Sequence, residues 1–347
     1  YISVKRLTKE MVKKLKDATL KEVAQLANVS TATVSNVINN TKHVSEDLKK
    51  KVYESMKVLN YKPNEIAKSL KVKQSRLIGI LISDISNSFI SKVVKGIEST
   101  LSEKGYNVLL CSTDSDVEKE KEYLKVLMGK RIDGLIISSS GAGNHYDDLL
   151  KAKVPLVFLN RCPEHLPSNM VKTNNIKGAY MATEHLIKHG YKKIAIITGP
   201  MQYSTGRDRY IGYKRALEDY AISYHDELVL EGDFTIESGY ELTKEIIESK
   251  MKIDAIFISN NSMSLGSYKY IKEQGLKIPQ DIALYGFDDP EWADVVDPPL
   301  SGITQPAFEL GVYAAQKMID TIQGTCPEIR EIKYLDPNMI IRKSCGC

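Results

Sequence analysis

Between Ser30 and Asn39 the sequence STATVSNVIN sets short polar side chains around two valines. A helix that buries Val34 and Val37 turns Thr31, Ala32, Thr33, Ser35 and Asn36 outward. Hydroxyls and an amide of this reach suit phosphate oxygens and base edges better than a core, and an Asn amide matches the N6 and N7 atoms of adenine. The chemistry on offer is non-covalent reading of duplex DNA.

The flanking residues must hold that helix in place. Thr19 followed by Glu22 is a capping box, so a helix starts near Leu20 and sets Val23, Leu26 and Ala27 on one face. Ala27-Asn28-Val29 then makes the turn, with Asn28 where φ must be positive, and Ser30 caps the helix Thr31 to Val37. Two short capped helices joined by a tight turn are a helix-turn-helix, which places the second helix in a major groove. Ser45-Glu46-Asp47 starts a third helix that buries Leu48, Val52, Met56 and Leu59, and Tyr61-Lys62-Pro63 stops it. Asn64 to Leu70 reads as a helix of barely two turns, too short to form without a partner, and 71–76 as a polar linker. Residues 1–17 form a basic amphipathic extension. Charge follows the same division: residues 1–76 carry 17 Lys and Arg against 7 Asp and Glu, the rest 31 against 37. A basic segment beside an acidic remainder is the footprint of phosphate neutralisation.

From Leu77 the pattern changes. Apolar runs (LIGILIS, NVLLCST, GLIISS, PLVFLNR, then IAIIT, LVLEG, AIFISN, IALYGFD) alternate with amphipathic helices over 89–104, 117–130, 146–152, 175–189, 207–220, 236–250 and 262–274. Continuously apolar strands separated by helices predict parallel sheets covered on both faces. The fold class is therefore α/β: two doubly wound parallel-sheet lobes behind an N-terminal all-α headpiece. A ligand of such sheets sits beyond the carboxyl ends of the strands, where the sequence places Asp84, Asn87, Ser138, Asn160, Arg161, Asn260, Asn261, Asp288 and Asp289.

Other chemistries fail. Five cysteines (Cys111, Cys162, Cys326, Cys345, Cys347) contain no CxxC pair, which suits a reducing cytoplasm, and Cys345-Gly346-Cys347 is assigned no role. His185 and His189 have the spacing of a metal pair, but no third ligand stands near them in sequence, so no metal and no cofactor is expected. No GxSxG elbow, GxxxxGK[ST] loop or GxGxxG after a strand occurs, and nothing supports an enzyme. No signal peptide or run of about 18 apolar residues is present.

The motifs VSTATVSNVIN, PNEIAKSL, DISNSFISKVVKGIE, RIDGLIIS, HLIKHGYKKIAIITGP, RDRYIGYKRAL, FISNNSMSLGSYKYIKEQGLKIPQDIALYGFDD and PPLSGITQP together resemble the LacI–GalR family of transcription regulators, over nearly the whole length from Thr19. The resemblance implies a homodimer whose paired headpieces bind a near-palindromic DNA operator, and a core like that of periplasmic sugar-binding proteins, controlled by a small effector. It implies a headpiece over 18–62, a hinge over 63–76 and a core over 77–347. Lobe 1 would take about 77–174 plus 306–335, and lobe 2 about 175–305 plus 336–347. Matching positions make Thr31, Ala32 and Asn36 base readers. Ser30, Thr33, Ser35, Asn39 and His43 become phosphate or capping residues, and Asn64, Ala67 and Leu70 the hinge contacts, with Leu70 as a minor-groove wedge. Asn36 and Asn28 stand where Arg and Gly are common in the family. Effector positions fall on Asp84, Phe89, Asn160, Arg161, Arg209, Phe234, Asn260 and Asp288. Mixed donors and acceptors with an aromatic face favour a sugar or sugar acid. Arg161 and Arg209 could equally clamp a carboxylate or phosphate, or pair with a cleft Asp. Two rivals stay open: a catabolite-control regulator whose co-effector is a phosphorylated protein, and a transport sugar-binding protein, which would lack the headpiece.

Overall fold

The computed structural model of the chain describes residues 18–39, 42–61, 74–141, 144–163, 166, 169–249, 251–325 and 331–347. It divides into two compact units, Tyr1–Ser75 and Arg76–Cys347.

In the first unit, α1 (Leu20–Leu26), α2 (Thr31–Asn39) and α3 (Glu46–Val58) enclose Val23, Ala24, Ala27, Val34, Val37, Val44 and Val52. The capping box forms: Thr19 N–H donates to Glu22 Oε2 at 2.6 Å and Glu22 N–H to Thr19 Oγ1 at 3.3 Å, a device worth about 1 kcal/mol. At the other end of α1, Asn28 takes φ +55°. Its N–H reaches Gln25 O at 3.2 Å while that of Val29 reaches Ala24 O at 3.0 Å, which satisfies carbonyls the helix leaves over.

Two expectations change. Leu26 is 51% exposed and Ala24 is buried: the inward stripe runs 23, 24, 27, and residue 26 lies about 110° around the helix from its centre. The third helix stops before Pro63, because Asn60 turns left-handed (φ +48°) and Tyr61 N–H closes the end on Met56 O at 2.9 Å. Ser45 occupies the N-cap of α3 without a side-chain cap bond. The basic extension 1–17 and the hinge residues Asn64, Ala67 and Leu70 lie outside the described residues.

The second unit holds two six-stranded sheets. Lobe 1 is built from β1 (Leu77–Ile82), α4 (Ser88–Glu103), β2 (Asn107–Ser112), α5 (Val117–Gly129), β3 (Gly134–Ile137), α6 (Asp147–Lys151), β4 (Leu156–Leu159) and β5 (Asn169–Thr173). Lobe 2 follows with α7 (Asn175–Lys188), β6 (Ile194–Thr198), α8 (Ser204–Asp219), β7 (Val229–Glu231), α9 (Ile236–Glu248), β8 (Ala255–Ile258), α10 (Asn261–Glu273), β9 (Ala283–Phe287) and β10 (Ser301–Thr304). The chain then returns to lobe 1 with α11 (Ala307–Gln323) and β11 (Ile332–Leu335), and back to lobe 2 with β12 (Asn338–Ile340). The orders are β11-β5-β4-β3-β1-β2 and β12-β10-β9-β8-β6-β7. Every pairing is parallel except β10 with β12.

Strand composition decides place. LIGILI, GLII and LVFL are the buried centre of one sheet and IAIIT, AIFI and ALYGF that of the other, whereas IKYL and VLE lie at edges. Strands β5, β10 and β11 have no continuous apolar run, and the sequence reading did not foresee them. Helix pairs covering the sheets cross at glycines: a Cβ on Gly96 would sit 2.2 Å from Phe308 O, and one on Gly311 2.1 Å from Val93 O. So α4 and α11 touch backbone to backbone. Among the described residues no helix is long and apolar enough to cross a membrane.

Candidate functional site

On the first unit, Ser30, Thr31, Ala32 and His43 are exposed and Thr33, Ser35, Asn36 and Asn39 half-buried. Ser30 Oγ accepts from Thr33 N–H at 3.0 Å and lies 2.9 Å from Thr33 Oγ1, so this pair starts the helix. Asn39 Nδ2 donates to Ser35 O at 2.9 Å and to Ser35 Oγ at 3.3 Å, which spends the Asn39 amide nitrogen on its own helix. Thr31 and Ala32, together at the first turn of α2, remain open to a groove.

In the second unit the carboxyl ends of the strands converge between the lobes. Arg161 follows β4, where Asn160 takes φ +57°. Its guanidinium donates to Ser115 Oγ at 3.2 Å and lies 4.1 Å from the centre of the Tyr203 ring and 5.3 Å from that of Phe234. Arg209, 4% exposed on α8, donates from Nε to Asn175 Oδ1 at 2.9 Å and from one terminal nitrogen to Ser259 O. Its guanidinium rests 3.8 Å from the Phe287 ring centre. Burial pushes both guanidinium pKa values down to about 10, which leaves them charged at neutral pH. Among the described residues neither has a carboxylate within 4.0 Å, so the ion pair with a cleft Asp does not form. Asp288, held at φ +85°, is kept above the usual carboxylate range by burial, against the pull of Arg209.

Several expected ligand groups are committed to the protein. Asp288 Oδ1 accepts from Gln305 Nε2 at 2.5 Å and Oδ2 from Asn261 N–H at 3.3 Å. Asn260 caps α10 through Met263 N–H at 2.9 Å and donates to Phe234 O at 3.1 Å. Asn160 Oδ1 accepts from Thr173 N–H at 2.9 Å, while its carbonyl takes the Ser204 hydroxyl at 3.1 Å. These six positions therefore come together, with Arg161 and Arg209 carrying charge and the others mostly positioning. Asp84 and Phe89 make local contacts: the Asp84 carboxylate accepts from Ser86 N–H at 2.8 Å, and Phe89, partly buried, packs on the lobe 1 core two residues after Asn87.

The lobes are latched across the cleft. Lys172 pairs with Asp208 at 2.7 Å, Asn87 Nδ2 donates to Asn261 Oδ1 at 3.1 Å and Tyr203 OH to Ser140 O at 3.1 Å. Tyr203 was not foreseen, since a tyrosine before a helix gives no sign that it will stack on an arginine. Nor was Glu120, fully buried on α5, whose carboxylate accepts from Ser140 N–H and contacts His145 Nε2, each at 2.7 Å. The fold adds what the sequence spacing lacks: Cys347, 158 residues beyond His189 in sequence, lies 3.0 Å from His189 Nε2 and beside His185.

With this geometry in hand, known proteins give a consistent match. Residues 19–64 match the lacI family of bacterial regulatory proteins, and residues 75–339 the periplasmic binding proteins and sugar binding domain of the LacI family. The chain is 37% identical over 330 residues to the ribose operon repressor of Escherichia coli (strain K12), covering 94% of this chain and 99% of that one. It is 36% identical over 331 residues to the HTH-type transcriptional repressor PurR of Aliivibrio fischeri (strain MJ11), covering 94% and 98%. The structure of the lac repressor dimer bound to operator and the anti-inducer ONPF superimposes with a TM-score of 0.85 at 30% identity, over 96% of this chain and 100% of that one.

Proposed function

The chain belongs to the LacI family of transcriptional regulators, DNA-binding repressors and not enzymes, and on that premise we propose that its operator affinity is set by a small oxygen-rich effector, a sugar or sugar derivative, held between the two lobes of a homodimer's core. The observation that carries this reading is the pair of guanidiniums, Arg161 and Arg209, brought to one cleft with no carboxylate within 4.0 Å of either among the described residues, Asp288 being held by Gln305 and Asn261. Buried guanidiniums without a direct ion pair call for acceptor oxygens from a ligand. The Tyr203 and Phe234 rings beside Arg161 offer apolar faces for sugar C–H groups. The ribose operon repressor among the relatives points to the same class. Ligand binding acts through the lobes only if the latched and unlatched states differ in affinity for it, and Lys172–Asp208 and Asn87–Asn261 are the contacts such a change would rearrange.

The test is a thermal-shift screen of pentoses, hexoses, their acids and phosphates, and nucleobases, followed by operator titration with each hit. A true effector at a hundred times its Kd adds about 2.7 kcal/mol of stability. Arg161→Ala weakens it tenfold to a hundredfold, about 1.5–3 kcal/mol for a charge-assisted bond, and leaves effector-free operator binding near the parent value. A chain that answers only to a phosphorylated protein, or an Arg161→Ala variant that responds like the parent, sinks the proposal.

Base reading is separately testable. Asn36 stands where an arginine is common in the family, and Arg grips guanine where Asn grips adenine. Operators selected from a random library with the parent and with Asn36→Arg are expected to differ at one symmetric base pair, adenine giving way to guanine, worth about 1–3 kcal/mol. Identical preferred half-sites would show that Asn36 does not read that base.

A further inference from the structure

We propose that His185, His189, Cys345 and Cys347 form a binding site for a thiophilic cation of the zinc type on lobe 2. The two histidines are four apart near the end of α7 and so share a face. Both present Nε2 to Cys347 Sγ, at 3.3 Å from His185 and 3.0 Å from His189. Cys345 Sγ lies 3.3 Å from His185 Nε2 and 3.1 Å from Cys347 Sγ. The donor atoms of His185, His189 and Cys347 all fall within 4.8 Å of one another. Zinc bonds of about 2.3 Å to sulfur and 2.0–2.1 Å to nitrogen in a tetrahedron set sulfur and nitrogen about 3.5 Å apart and two sulfurs about 3.8 Å apart. The sulfur–nitrogen contacts need open by only a few tenths of an ångström and the sulfur pair by about 0.7 Å, while the two histidine nitrogens, within 4.8 Å of one another, close toward about 3.4 Å.

The cluster is held ready. His189 Nδ1 lies 2.8 Å from His185 O. A carbonyl only accepts, so Nδ1 carries the proton and Nε2 offers its lone pair to the cluster, as in metal sites whose second ring nitrogen is anchored. The strand-side partners are fixed too: Ser344 Oγ donates to Leu284 O and accepts from Ser301 N–H, each at 2.8 Å, and Tyr191 OH donates to Cys345 O at 3.1 Å. Gly346 takes φ +90°, and a Cβ there would meet Tyr191 Oη at 2.6 Å. That turn lets both sulfurs approach α7. Two thiolates and two imidazoles select zinc-like ions over oxygen-seeking Mg²⁺ and Ca²⁺. Cys345 and His185 are buried while His189 and Cys347 are exposed, so an ion can enter from solvent. A bound ion would pin 345–347 to α7, the helix whose first residue, Asn175, holds Arg209.

The experiment uses the untagged full chain, stripped with chelator, under reductant, and titrated with Zn²⁺ in competition with a chromophoric chelator. One equivalent binds per chain, and Co²⁺ in its place gives a thiolate-to-cobalt charge-transfer band. Cys347→Ser and His189→Gln, both exposed and made without disturbing the core, each weaken binding beyond the 10- to 100-fold that loss of a mere outer partner costs. Cys162→Ser, a thiol outside the cluster, leaves affinity unchanged. The proposal is overturned by the absence of stoichiometric zinc, by a cobalt complex without a sulfur band, by parental affinity in both variants, or by a Cys345–Cys347 disulfide that survives the reductant.

Discussion

Removal of residues 1–76 is expected to abolish specific operator binding, a loss of at least about a thousandfold, while the remainder still unfolds cooperatively. The outward face of α2 and the chain's excess of basic residues both lie in the removed segment. What remains, Leu77–Cys347, keeps both sheets and their cores whole. Fluorescence anisotropy on a labelled operator, with differential scanning calorimetry on the same sample, reads both halves of the expectation. The intact chain also loses affinity steeply with salt, because each phosphate contact releases counterions. Specific binding by the fragment would place the reading surface elsewhere.

Gly311→Val is expected to destabilise the core unit by about 3 kcal/mol or more, at the upper end of overpacking effects. The first added carbon would lie 2.1 Å from the Val93 carbonyl oxygen and 2.9 Å from the Ile97 nitrogen. These are backbone atoms of α4 and cannot rotate away. The helices would have to separate, loosening Leu310, Ala314, Ala315 and Met318 from lobe 1. Gly129→Ala is the control: nothing lies within 4 Å of its new carbon, so it stays within about 1 kcal/mol of the parent. Equal melting temperatures for the two variants would show that the α4–α11 seam yields without cost.

The sequence announces those parts whose signals are local. Thr19 and Glu22 bond each other, Asn28 and Ser30 act within four residues, and the central strands are apolar along their whole length. Helix limits accordingly fall within about three residues of where periodicity puts them. Strands β5, β10 and β11 escaped because they are short and mixed in polarity, and only their neighbours make them strands. Leu26 misled because an apolar residue near a stripe need not belong to it. In the cleft, residue type alone did not tell that Asp288 and Asn260 would spend their polar atoms on Gln305, Met263 and Phe234. The His–Cys cluster showed only two separate halves, the His185/His189 pair and Cys345-Gly346-Cys347, and these are joined only by the return of the chain to β10 and β12.

The path of the chain between the lobes also sets an order of events on the ribosome. Strands β1 to β5 emerge first, yet their sheet gains its last strand, β11, and α4 its covering helix, α11, only after all of residues 175–304 have been made. At ordinary synthesis rates of about 5–20 residues per second, that interval lasts roughly 7–26 s. Throughout it the nascent lobe presents an unpaired β5 edge and the bare apolar face of Val93, Gly96 and Ile97, the kind of surface on which chains aggregate. Lobe 2 waits through only the 33 residues between Thr304 and Asn338 before β12 closes it. The lobe translated first is thus the one that needs shelter longest, and a message truncated between codons 175 and 306 yields a product that cannot close it.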